Sequence, residues 1–138
     1  NVPPELADFV HLYGWAAYNE LPPLYKGASC FILPSLSEPW GLVIEVGNAA
    51  GMPILISSNC GCALELCQNG INGYVFDPLN VKRLAEVMIR ISSGQVDIKS
   101  MGDASKEIIK NYTPSKWAKT VLEMCKTLLD RNDKSNIV

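Results

Sequence analysis

Apolar residues recur along this chain with two different periods, and each change of period marks an element. From Ser29 to Pro34 and from Pro53 to Ser58 they run nearly unbroken over strand length, as in strands covered on both faces. Tyr74-Val75-Phe76-Asp77 is a further strand, ended by Pro78. Phe9 to Gly14 alternates apolar and polar residues, which predicts a short strand stopping at the glycine. Between these segments the period lengthens to that of a helix. Tyr18 to Lys26 sets Leu21, Leu24 and Tyr25 at helical spacing, with Pro22 and Pro23 tolerated in the first turn. Gly41 to Ala50 is an apolar helix closed by Gly51 and Pro53. Ala63 to Cys67 reads as a short helix, and Gly70 to Gly73 as a turn. Val81 to Ser92 is amphipathic, with Leu84, Val87, Met88 and Ile91 on one face, and Met101 to Asn111 is again helical. Thr113-Pro114 supplies an N-cap and a first-turn proline for a long last helix ending near Asp130. Its stripe of Trp117, Val121, Met124, Cys125 and Leu128 is expected to face the core.

Strands alternate with helices through about residue 92, the order of a parallel sheet with helices on both faces. The fold class expected is therefore α/β, Rossmann-like, with additional helices at the C-terminal end. A chain of 138 residues with 48% hydrophobic content suits one core. One domain is expected over 1–131, with a polar tail over 132–138. The formal net charge is −2, from 12 basic and 14 acidic residues, and there is no basic run of the kind a nucleic-acid partner leaves. No apolar stretch approaches the roughly 20 residues of a membrane-spanning helix. Asn1-Val2-Pro3-Pro4 has neither an initiator Met nor a leader pattern, and the chain is read as beginning inside a larger protein. Five cysteines, an odd number, four of them (Cys30, Cys60, Cys62 and Cys67) in or near core elements, fit reduced thiols and a cytoplasmic location. Cys60-Gly61-Cys62 with Cys67 and His11 is a poor match to metal-ligand spacing, so no metal is expected.

The chemistry concentrates in Ser37-Glu38-Pro39-Trp40-Gly41-Leu42-Val43-Ile44-Glu45. A strand that delivers a loop to a helix N-terminus leaves backbone N–H groups pointing outward together, which favours phosphate. A carboxylate beside them is suited to accept hydrogen bonds from hydroxyl groups. Phosphate and polyol together suggest a nucleotide-sugar site, beyond the carboxyl ends of the strands. The loops 35–41 and 58–61 both lie there.

Leu21 to Pro78 resembles the C-terminal, nucleotide-sugar-binding domain of retaining GT-B glycosyltransferases of group 1. The matching pieces are Leu24-Tyr25…Ala28, Leu33-Pro34-Ser35…Glu38-Pro39-Trp40-Gly41-Leu42-Val43 and Ala49-Ala50-Gly51-Met52-Pro53-Ile54. Gly61…Glu65 and Asn69-Gly70-Ile71-Asn72-Gly73…Phe76-Asp77-Pro78 follow in the same order. The resemblance implies transfer of a sugar from a nucleotide diphosphate sugar to an acceptor hydroxyl, with retention and without a metal. It implies that Glu38 contacts the sugar hydroxyls and that Gly41, Leu42 and Val43 hold the distal phosphate through their N–H groups. It implies further that a basic pair and an acceptor-binding domain precede Asn1, so that residues 1–138 alone are expected to be inactive. The acceptor would be a saccharide or lipid-linked saccharide, with peripheral membrane association of the whole protein left open.

The family's second carboxylate, on the ribose, falls on Val46, and Glu45 stands one residue early. One residue of helix is about 100° of rotation, so Glu45 is not a simple replacement. Weaker nucleotide affinity, a local adjustment and a variant without activity all stay open. Trp40 is either a packing residue beneath the site or a contact, Gly61 a tight phosphate-side turn or a plain loop glycine. Glu45 is first a surface residue and second a ligand contact. Glu65 is either exposed or part of the site, and His11 is read as structural. A non-catalytic nucleotide-sugar-binding or regulatory module is the alternative function. Dinucleotide and P-loop sites are disfavoured because neither G-x-G-x-x-G nor G-x4-G-K-[ST] occurs.

Overall fold

The computed structural model describes the backbone of residues 2–135 and the side chains through 129. Three parallel strands, β1 (Phe31–Leu33), β2 (Ile54–Ser57) and β3 (Gly73–Phe76), form one sheet in the order β1-β2-β3. Phe31 pairs with Ile54 and Leu33 with Ile56, then Ile54 with Gly73 and Ser57 with Phe76. All four residues of the central β2 are buried, which is why its run of apolar residues has no alternation.

Around the sheet lie α1 (Leu21–Gly27), α2 (Leu42–Ala50), α3 (Ala63–Leu66), α4 (Val81–Ser92), α5 (Ile98–Ile109) and α6 (Pro114–Ser135). The strands still alternate between two faces. Ile54 and Ile56 pack with Ile44 of α2 and Leu66 of α3, joined by Ile108 and Ile109 of α5. Leu55, Tyr74 and Phe76 point the other way, onto Val87 and Ile91 of α4 and Met101 of α5. Helices therefore cover both faces, as expected of this α/β fold.

Local chemistry sets the helix limits. Asn80 Oδ1 accepts from the Arg83 N–H at 2.9 Å and starts α4. Asp97 accepts from the N–H groups of Lys99 and Ser100, at 3.0 and 3.1 Å, so α5 begins at Ile98 rather than at Met101. Thr113 Oγ1 accepts from Lys116 N–H at 3.2 Å and Pro114 opens α6, as its sequence signals.

A buried amide pair locks the layers together. Asn72 Nδ2 donates to Asn48 Oδ1 of α2 at 3.1 Å, to the Leu66 carbonyl at 3.0 Å and to Ser105 Oγ of α5 at 3.3 Å. Asn48 Nδ2 also donates to the Leu66 carbonyl, and Ser105 Oγ donates to the Met52 carbonyl at 2.7 Å. None of these three side chains is exposed, and among the described residues no buried side-chain polar atom lacks a partner. This network ties α2 and α5 to the turn that precedes β3.

Three expectations are corrected. Phe9 to Gly14 is not a strand: it is irregular, bracketed by the 3-10 turns Pro4–Leu6 and Tyr18–Glu20. Alternation marks a face that is able to be buried, and no element reaches this one among the described residues. The apolar stripe of α6 does not face the core either, since Trp117, Val121, Met124, Cys125 and Leu128 are all exposed. The helix also continues past Asp130 to Ser135, through the start of the expected tail; residues 136–138 lie outside the described residues.

Candidate functional site

At the carboxyl ends of β1 and β2 two loops run side by side and extend the parallel ladder by one bridge, Glu38 with Cys60. Glu38 N–H donates to the Asn59 carbonyl at 3.2 Å, Gly61 N–H to the Glu38 carbonyl at 3.0 Å and Cys62 N–H to the Trp40 carbonyl at 3.1 Å. Asn59 Nδ2 ties in the Leu36 carbonyl at 2.9 Å. The backbone of 36–41 is thereby held like a strand although it lies past the sheet. Gly61 is required by closeness: a Cβ there would stand 2.0 Å from the Pro39 carbonyl oxygen. Its role is to let the two loops touch.

Gly41 caps α2 in the left-handed region, at φ 99°, where a side chain is strained. It brings no capping side chain, so the first-turn N–H groups are left open on the exposed Leu42 and Val43. Ile44 N–H turns back to the Gly41 carbonyl at 2.9 Å. Glu38 stands beside this turn, half-buried, its Oε1 accepting from Trp40 N–H at 3.3 Å. Open donors and a carboxylate thus lie together at one helix end.

The other expected residues divide between the two flanks of α2. Trp40 is half-buried against the core cluster of Ile44 and Leu66, and its indole Nε1 donates to Glu45 Oε1 at 2.7 Å. It packs beneath the site. Both residues line a cavity of about 630 Å³ shared with Asn111, Tyr112, Lys116 and Trp117. Val46, 46% exposed, lines a different cavity of about 410 Å³ with Tyr18, Leu21, Pro22, Tyr25 and Lys26. The carboxylate of Glu45 is consequently turned away from Val46 and already engaged. That second cavity was not anticipated; the paired prolines before Tyr25, an unusual opening for a helix, were the available signal.

Glu65 is exposed on α3, with its carbonyl accepting from Tyr112. His11 lies exposed in the irregular N-terminal segment. The five cysteines are free, and Cys60, Cys62 and Cys67 are buried. Burial, then the Glu38 charge, pushes the Cys60 thiol up. Burial first, then neighbouring thiols, takes Cys62 to about 11 and Cys67 to about 12. Held neutral, Cys60, Cys62 and Cys67 pack as small apolar groups in the core cluster of Ile44 and Leu66. Among the described residues no three His, Cys, Asp or Glu side chains group as metal ligands.

Known proteins resemble this chain in sequence and in fold. A sucrose synthase of Melioribacter roseus is 30% identical over 101 residues, 70% of this chain and 13% of that protein. An uncharacterized glycosyltransferase of Methanocaldococcus jannaschii is 26% identical over 90% of this chain and 34% of its own length. The solved sucrose-phosphate synthase of Thermosynechococcus elongatus superposes with a TM-score of 0.74 at 23% identity, over 94% of this chain and 32% of that one. The likeness shows the fold as one half of a GT-B architecture, and the chain spans 13 to 34% of the length of these relatives. Residues 4–112 match the family model of group 1 glycosyl transferases, and the chain belongs to that family.

Proposed function

We propose that the chain is the donor half of a retaining glycosyltransferase that moves a sugar from a nucleotide diphosphate sugar to an acceptor hydroxyl. The observation that carries this reading is the bare first turn of α2 beside Glu38. Its open N–H groups and the helix dipole suit the distal phosphate and the charge that develops on the leaving diphosphate. Glu38 accepts from the hydroxyls of the transferred sugar. Charge compensation without a metal requires cations, and these come from outside residues 1–138, as does the surface that holds a saccharide or lipid-linked acceptor. Among the described residues no helix is long and apolar enough to cross a membrane.

One observation favours a second reading, a binding or regulatory module without turnover. Val46 offers no carboxylate to a ribose, and Glu45 is occupied by the Trp40 indole.

Thermal-shift titration of the whole protein with UDP, GDP and ADP and their sugar conjugates tests both. At a hundred times its Kd a ligand adds about 2.7 kcal/mol. A base-selective shift enlarged by one sugar, with transfer or donor hydrolysis in the whole protein, supports the enzyme. Binding without turnover supports the module. No shift at millimolar ligand contradicts both.

A further inference from the structure

The two flanks of α2 differ in the property that decides how a ribose is read. On the α1 flank the cavity is walled by Val46, Ala49 and Ala50 against Leu21, Pro22 and Tyr25, with Tyr18 and Lys26 at its edge. No side chain there is an acceptor-only group. An ammonium only donates, a phenol donates as readily as it accepts, and the remaining walls are apolar. The nearest carboxylate on the helix, Glu45, lines the opposite cavity, where its Oε1 holds the Trp40 indole at 2.7 Å. Moving it to the α1 flank needs about 100° of rotation and loss of that bond.

A nucleoside attached to a diphosphate on the α2 turn has these two cavities to choose from. Its base is best served by the α1 flank, where Tyr18 presents a ring that is 88% exposed among apolar walls. The flank of Glu45 and Lys116 carries both signs of charge. A ribose in the α1 cavity brings a 2′-hydroxyl that leaves water. A site that selects for this group supplies an acceptor, and a charged acceptor is worth roughly one to two powers of ten in affinity. Here no charged acceptor is supplied, only the neutral phenols of Tyr18 and Tyr25, and a 2′-methylene lies against Val46 at little loss.

Resting on the reading of α2 as a diphosphate site, we infer that this chain does not distinguish ribo- from 2′-deoxyribonucleoside diphosphates. Its donor class then includes 2′-deoxynucleotide sugars. The test is the ratio of dissociation constants for UDP against 2′-deoxy-UDP, ADP against 2′-deoxy-ADP, and GDP against 2′-deoxy-GDP, on the whole protein. For whichever base binds most tightly, a ratio below about fivefold is expected. A preference for the ribonucleotide of fivefold or more overturns the inference while leaving the diphosphate site standing. Failure of every nucleotide to bind removes that site and the inference with it. Val46→Glu, at an exposed helix position, is expected to raise the ribonucleotide preference to roughly tenfold. An unchanged ratio in a variant that still folds by circular dichroism and binds overturns the placement of the ribose at residue 46.

Discussion

The segment from Phe31 to Ile109 and the two stretches that flank it carry similar densities of apolar residues and use them in opposite ways. Inside the segment, Ile54, Leu55, Ile56 and Val87 are wholly buried, and the polar side chains that join them find partners. Outside it, Phe9 is 81% exposed and Trp15 88%, while Trp117 of α6 is 71% exposed and Leu128 61%. Hydrophobic patterning states which face of an element is able to be buried. Whether it is buried depends on a second surface, which the central segment supplies for itself. The candidate site sits on the self-sufficient part: β1, β2, the loops beyond them and the first turn of α2.

Substitutions sharpen this contrast. Ile56→Ala, in the middle of the central strand, is expected to destabilise by about 4 kcal/mol, a large share of a domain's marginal stability. The denaturant midpoint falls while the m-value holds. Asn72→Ala leaves the Gln68 N–H and the Asn48 Oδ1 without their partner, and the expected loss is roughly 3 kcal/mol. At the other extreme, Trp117→Ala on α6 is expected to change stability by less than about 0.5 kcal/mol in the same measurement. A loss comparable to that of Ile56→Ala would erase the distinction between the two regions.

The same contrast explains what was legible in the sequence. The limits of α4, Val81 to Ser92, follow from periodicity alone, and β2 from an unbroken apolar run, because both elements meet the core they imply. Phe9–Gly14 and the α6 stripe follow the same rules but meet no such surface. Asn72 was invisible for a different reason. In Asn69-Gly70-Ile71-Asn72-Gly73 both amides look like turn residues, and only packing shows one of them to be the buried pin of three elements. At the site, the helix start at Gly41 and the carboxylate of Glu38 could be placed from local signals. So could the divergence of Glu45 from Val46, which is helix geometry. The indole bond that occupies Glu45 and the cavity beside Val46 depend on how a loop and α1 settle against α2, and no local pattern encodes that.

The central claim is that the bare α2 turn holds the diphosphate while Glu38 reads the sugar. Calorimetric binding of a nucleoside diphosphate and of its sugar conjugate, to the wild type and to Glu38→Gln, separates the two roles. The prediction is unchanged diphosphate affinity in the variant, with the added affinity of the sugar reduced roughly tenfold. Equal loss for both ligands, or no loss for either, would contradict the account.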